Sequence, residues 1–155
     1  MTDETEAKSY SELSQCATKI SVPLANEKLF KKLAKLVSKA AAKKTCTRRG
    51  VKEVVKSIRK GAKGVCIIAG DVTPVDLICH VPILCEDREI PYIYIPSKEQ
   101  LGKSLGSLRP TSSVLVLREP VKKAGAKQSD DKNEKYTDLF DDVAERVKAA
   151  MPTSF

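Results

Sequence analysis

Lys52, Glu53 and Lys56 lie in the stretch TRRGVKEVVKSIRKG, residues 47–61. These residue types suit a nucleic acid. Arg48 and Arg49 carry forked donors that match phosphate oxygens, and Gly50 lets a foreign backbone come close. A helix starting after Gly50 adds first-turn N–H groups that, with the helix dipole, attract anions. Lys52, Lys56 and Lys60 recur every four residues, with Arg59 beside them. A solvated cationic face would carry the same lysines, whereas pure phosphate binding would exclude Glu53. A carboxylate among cations accepts hydrogen bonds from base amino and imino groups, contacts that specify where phosphate contacts only position. An ion pair between Glu53 and Lys56, three residues on, is compatible with that role and contributes roughly a few tenths of a kcal/mol.

The other reactive side chains fit structural roles better. His80 is the single histidine, and no cysteine or acid stands at metal-ligand spacing from it, so it is expected to pack or to cap. Asp71 follows an apolar run, but the phosphate-binding loop G-x-x-x-x-G-K-[ST] is absent. Glu86 and Asp87 read as helix-end and loop chemistry. Tyr92 and Tyr94 alternate with Ile93 and Ile95 along a strand, where packing in a covered sheet is expected over base stacking. The five cysteines, 16, 46, 66, 79 and 85, form no C-x-x-C pair and are odd in number. They read as reduced small hydrophobes of an intracellular protein. No catalytic residue, metal or cofactor is assigned.

The elements that must position the 47–61 stretch can be read from periodicity. ANEKLFKKLAKLVSKAAAKK opens at Asn26, a suitable N-cap, and repeats Leu29, Leu33, Leu36, Val37 and Ala40 at helical spacing. In the next helix Val51, Val54, Val55 and Ile58 form the apolar face, and Gly61 and Gly64 stop it. VCIIAG is a buried strand. A helix is expected from about Pro74, ended or bent by Pro82. IPYIYIPS is a second strand, and SKEQLGKSLG is a short helix with a Ser97/Gln100 capping box. SVLVL is a third strand. EKYTDLFDDVAERVKAA is a closing helix with Tyr136, Phe140, Val143 and Val147 on one side. Strands alternating with helices predict a three-layer α/β/α sandwich, with a small mixed sheet of about four strands covered on both faces. The expected organisation is a flexible tail over 1–22, an α/β/α domain over 23–118, a polar linker over 119–133 and a helix over 134–150 that packs on the domain.

The chain has 155 residues and a formal net charge of +8. That charge favours a polyanionic partner. Residues 26–64 hold fourteen of the 28 lysines and arginines and two acids, Glu27 and Glu53. No apolar run approaches the ~20 residues that span a bilayer, so no membrane partner is expected.

RRGVKEVVKSIRKG, IAGDVTPVDLICHVPILCEDREIPYIYIPSK and LRPTS closely resemble the kink-turn-binding ribosomal proteins of the archaeal L7Ae type, from about Pro23 to Leu117. RGVKEVVK, RKGAKG, AGD, LCED and PYIYIPSK are most similar to the branch that serves as a core subunit of eukaryotic H/ACA ribonucleoproteins. The resemblance implies an α/β/α sandwich that binds RNA through one helix start and two nearby loops. The family's contact pattern is Gly-x-Asn-Glu-x-x-Lys. Gly50, Glu53 and Lys56 match it, and Lys52 replaces the asparagine. Lysine only donates hydrogen bonds, so broad RNA binding is expected in place of strict kink-turn selectivity. Arg49, Lys98 and Arg109 would meet phosphate, while Thr73 and Leu77 would lie against the RNA.

The resemblance further implies a non-catalytic subunit, monomeric when free, in a particle that guides pseudouridylation and rRNA processing and in animals supports telomerase. Its partners would be the H/ACA guide RNA, a pseudouridine synthase that supplies the catalytic aspartate, and a small adaptor. The nucleolus, or Cajal bodies, would be its location. A box C/D or spliceosomal kink-turn protein is the alternative. An enzyme with its site near Asp71 lacks a phosphate loop and a nucleophile–base pair.

Overall fold

The computed structural model describes residues 24–43, 46–73, 75–118 and 134–151, with two further positions, 12 and 15. The expected tail over 1–22, apart from those two positions, and the linker over 119–133, together with Cys16, Pro23 and Pro74, lie outside the described residues.

Among the described residues five helices and four strands follow one another as α1 (Glu27–Ala42), β1 (Thr47–Arg49), α2 (Val51–Arg59), β2 (Gly64–Ala69), α3 (His80–Asp87), β3 (Tyr92–Ile95), α4 (Lys98–Ser104), β4 (Ser113–Leu117) and α5 (Glu134–Ala150). The strands form one mixed sheet in the order β1-β4-β2-β3. β2 and β3 run parallel, and the other pairs are antiparallel.

The sheet separates two apolar layers because successive strand residues point to opposite faces. Val65 and Ile67, Ile93 and Ile95, and Val114 and Val116 pack with Leu33, Leu36, Val37 and Ala40 of α1 and Tyr136, Phe140, Val143 and Val147 of α5. Cys66 and Ile68, Tyr92 and Tyr94, and Leu115 and Leu117 pack on the other side with Val54 and Ile58 of α2 and Val81 and Cys85 of α3. Both tyrosines are therefore core residues. Tyr92 donates its phenol hydrogen to Glu86 Oε1 at 2.8 Å. Burial pushes the Tyr94 phenol up to about 12, and burial together with Glu86 raises that of Tyr92.

Four expectations change. β1 was not visible as a strand: Thr47, Arg48 and Arg49 have no apolar alternation, and they are extended because they pair with Val116, Leu115 and Val114 at the sheet edge. The helix expected from Pro74 is a single 3-10 turn, Val75–Leu77, followed by α3 from His80. Pro82 does not end α3. It is the third residue of that helix, and first-turn N–H groups have no intrahelical acceptor, so a missing one costs nothing. Of the cysteines, 46, 66 and 85 are buried as expected, but Cys79 is exposed.

Candidate nucleic-acid interface

Gly50 sets the geometry of the cationic stretch. Its φ of 87° and ψ of 154° are open to glycine and almost no other residue. The chain turns there from β1 into α2. Gly50 N–H donates to the Ser113 carbonyl at 2.9 Å, and its own carbonyl accepts from Val54 N–H at 3.0 Å. Among the described residues no side chain caps the helix, which leaves the first-turn N–H groups free for an anion. A Cβ at Gly50 would meet nothing within 4 Å, so the cost of a side chain is backbone strain alone. Gly50→Ala is expected to lower stability by about 1–3 kcal/mol, read as a drop of roughly 2–12 °C in Tm. An unchanged Tm would show that the turn relaxes without cost.

Arg49, Gly50, Lys52, Glu53, Lys56 and Leu77 line one open groove of about 1030 Å³. Val51 and Val55 contribute to its lining, where the sequence expectation had them in the buried face of α2. The residues of α2 that are buried are Val54, Ser57 and Ile58. The apolar side of α2 is thus split, with 54 and 58 in the core and 51 and 55 half-buried in the groove. Arg48 does not line the groove. Strand alternation sends it to the face opposite Arg49.

The remaining expected residues lie outside the groove walls. Arg109 is exposed, and its carbonyl accepts from Arg49 Nη2 at 3.1 Å. Lys98 opens α4, its N–H donating to Asp71 Oδ1 at 2.9 Å and its carbonyl accepting from Thr111 N–H at 3.1 Å. Asp71 therefore anchors the start of α4. Gly102 packs so closely that a Cβ there would come within 2.2 Å of the Arg109 carbonyl oxygen, so α4 fixes the Arg109 loop beside Arg49. Thr73 is exposed between β2 and the 3-10 turn.

Five further polar residues complete the groove: Arg59, Lys60, Asp76, His80 and Ser112. Arg59 and Lys60 follow Lys52 and Lys56 by helical spacing, a signal already present in the sequence. Asp76 and His80 had no such signal. His80 is exposed, not packed, because α3 starts there and not at Pro74. The groove thus carries the cations Arg49, Lys52, Lys56, Arg59 and Lys60, the carboxylates Glu53 and Asp76, and an apolar floor of Val51, Val55 and Leu77, the last 52% exposed. Among the described residues Glu53 forms no ion pair with Lys56. Both are free to meet a ligand. Cations around acceptors and an apolar floor can hold phosphate, read a base edge and cover an unstacked base.

Residues 31–124 match the ribosomal protein L7Ae/L30e/S12e/Gadd45 family. An Arabidopsis thaliana protein called H/ACA ribonucleoprotein complex subunit 2-like protein is 56% identical over 103 residues, 66% of this chain and 65% of its own. The Bos taurus protein called H/ACA ribonucleoprotein complex subunit 2 is 42% identical over 145 residues, 94% of this chain and 85% of its own. Among solved structures, the Giardia lamblia 15.5kD RNA binding protein superposes with a TM-score of 0.70 at 27% identity, covering 84% of this chain and 97% of that one. The sandwich, the glycine turn into α2 and these matches agree, and the chain belongs to the ribosomal protein L7Ae/L30e/S12e/Gadd45 family.

Proposed function

We propose that this chain is a non-catalytic RNA-binding core subunit of an H/ACA ribonucleoprotein in the nucleus, concentrated in the nucleolus, where the particle directs pseudouridylation. The observation that carries the reading is the groove at the start of α2, with five cations around the free carboxylate of Glu53. The relatives named as H/ACA subunit 2 support the assembly. Residues 23–118 are the RNA-binding domain, 1–22 its tail and 119–133 the linker to the helix over 134–150. Arg49, Gly50, Lys52, Glu53, Lys56 and Leu77 hold the RNA in the groove, and Thr73, Lys98 and Arg109 extend the contact along its rim. The guide RNA, an adaptor subunit and the pseudouridine synthase are the partners.

The test is salt dependence with a short stem-loop. Contacts from Arg49, Lys52, Lys56, Lys98 and Arg109 amount to roughly four to six phosphates, and the slope of log K against log salt is expected at about −3 to −5. A slope near −1 would leave the groove a merely solvated face.

A kink-turn reader is the second reading, favoured by Gly50, Glu53 and Lys56 at the start of α2. Lys52 separates the two. Lys52→Asn is expected to lower affinity for plain stems, because one phosphate contact is lost. It should raise the preference for a kink-turn over a duplex by about 1–2 kcal/mol, the worth of one regained bidentate contact. Competition at one salt concentration checks this, and an unchanged ratio would move selectivity to the Thr73 and Arg109 loops.

A further inference from the structure

The groove uses the cations of α2 and leaves those of α1 unexplained. α1 carries Lys28, Lys31, Lys32, Lys35 and Lys39. Two of them are paired: Lys31 Nζ lies 2.9 Å from Glu27 Oε1, and Lys32 Nζ lies 2.6 Å from Asp142 Oδ2 on α5. Lys43, just past the helix, sits over the Tyr136 ring at 4.8 Å. Lys28, Lys35 and Lys39 are exposed and have no partner among the described residues. Seven residues advance a helix by close to two turns and eleven by close to three, so these three side chains form one straight row. Their spacings along the axis are about 10 Å and 6 Å.

α1 packs on the sheet face opposite α2. One RNA stem seated in the groove therefore cannot also lie along this row without passing around the sheet edge. We infer that the Lys28–Lys35–Lys39 row is a second RNA contact, which takes the phosphate backbone of a duplex segment distinct from the one in the groove. Flexible lysine stems at these spacings can each reach a strand that carries a charge about every 3.4 Å. The row has no carboxylate, so it reads no base edge and holds any sequence. It also has no aromatic, arginine or large apolar anchor, which a protein partner would use as the centre of an interface. The inference extends the RNA-binding reading to another face, and its test keeps the two apart.

The experiment compares the full-length protein, the Lys28→Gln/Lys35→Gln/Lys39→Gln variant and the Arg49→Ala/Lys52→Ala/Lys56→Ala variant. Each is titrated with a 12-base-pair stem-loop and with the same stem-loop extended by a 30-base-pair duplex. Each is also assayed for joining two differently labelled RNAs. The row variant is expected to bind the short stem-loop within twofold of the native protein. It should lose about tenfold or more of the added affinity for the long RNA, lower the salt slope on that RNA by about 2–3, and fail to join two RNAs. The groove variant should lose the short stem-loop and keep residual, salt-sensitive binding to the long duplex. Equal binding of the long RNA by native protein and row variant overturns the second contact, as does loss of a protein component in place of RNA when the row variant is isolated from nuclear extract. Loss of the short stem-loop in the row variant would place the row within the first site and also overturn it. Failure of the groove reading would appear separately, as full short-stem binding by the groove variant.

Discussion

Arg49→Ala/Lys52→Ala/Lys56→Ala is expected to weaken binding of a structured RNA on the order of 100-fold or more at ~0.1 M salt, since each lost phosphate contact removes about 8-fold through counterion release. The three side chains converge on the groove from two elements. Arg49 ends β1, and Lys52 and Lys56 lie one turn apart on α2. They are exposed and outside the apolar core, so Tm should move little. The salt slope should fall by about 3 units, and affinity for all sequences should fall together. Glu53→Gln should act differently. It turns one carboxylate oxygen into a donor and removes a negative charge, so non-specific affinity holds or rises while discrimination between RNA shapes is lost. If the triple variant bound as tightly as the native protein, the groove would not be the RNA site.

Phe140→Ala is expected to cost about 3–5 kcal/mol, or roughly 6–20 °C in Tm. Phe140 is 6% exposed, and its ring centre lies 6.4 Å from that of Tyr136. Tyr136 in turn donates its hydroxyl hydrogen to the Leu117 carbonyl at 2.5 Å, which ties α5 to the end of β4. Ion pairs from Lys32 to Asp142 and from Arg118 to Asp141 hold the outer side of the helix, though exposed pairs of this kind contribute little. The apolar side of α5 is what fastens it. Because α5 lies across the sheet from the groove, RNA affinity measured well below the melting range should stay within a few-fold. An unchanged Tm would mean that α5 is not part of the core, and a lost partner with unchanged Tm would make it a docking surface.

The core was legible because periodicity reports burial. Leu33, Leu36, Val37 and Ala40 in α1, and Tyr136, Phe140, Val143 and Val147 in α5, recur at helical spacing and are buried as a set. What failed to show was structure imposed from a distance. β1 is three polar residues long and exists through its pairing with β4. Without it, Arg48 and Arg49 looked like equal donors, whereas the strand separates them. Asp76 and His80 reach the groove because a 3-10 turn displaces the start of α3, and no local pattern announces that. Val51 and Val55 were correctly apolar, but a buried face and a groove floor have the same spacing. In the sequence Gly50 points to close approach of RNA, and its φ of 87° adds a requirement set by the protein's own backbone.

The most direct test of RNA binding in the groove is isolation of the protein from nuclear extract, followed by sequencing of the bound RNA, beside the Arg49→Ala/Lys52→Ala/Lys56→Ala variant. H/ACA RNAs are expected to dominate the native sample and to be strongly depleted from the variant. Dominance of box C/D or spliceosomal RNAs, or an equal H/ACA yield from the variant, would contradict it.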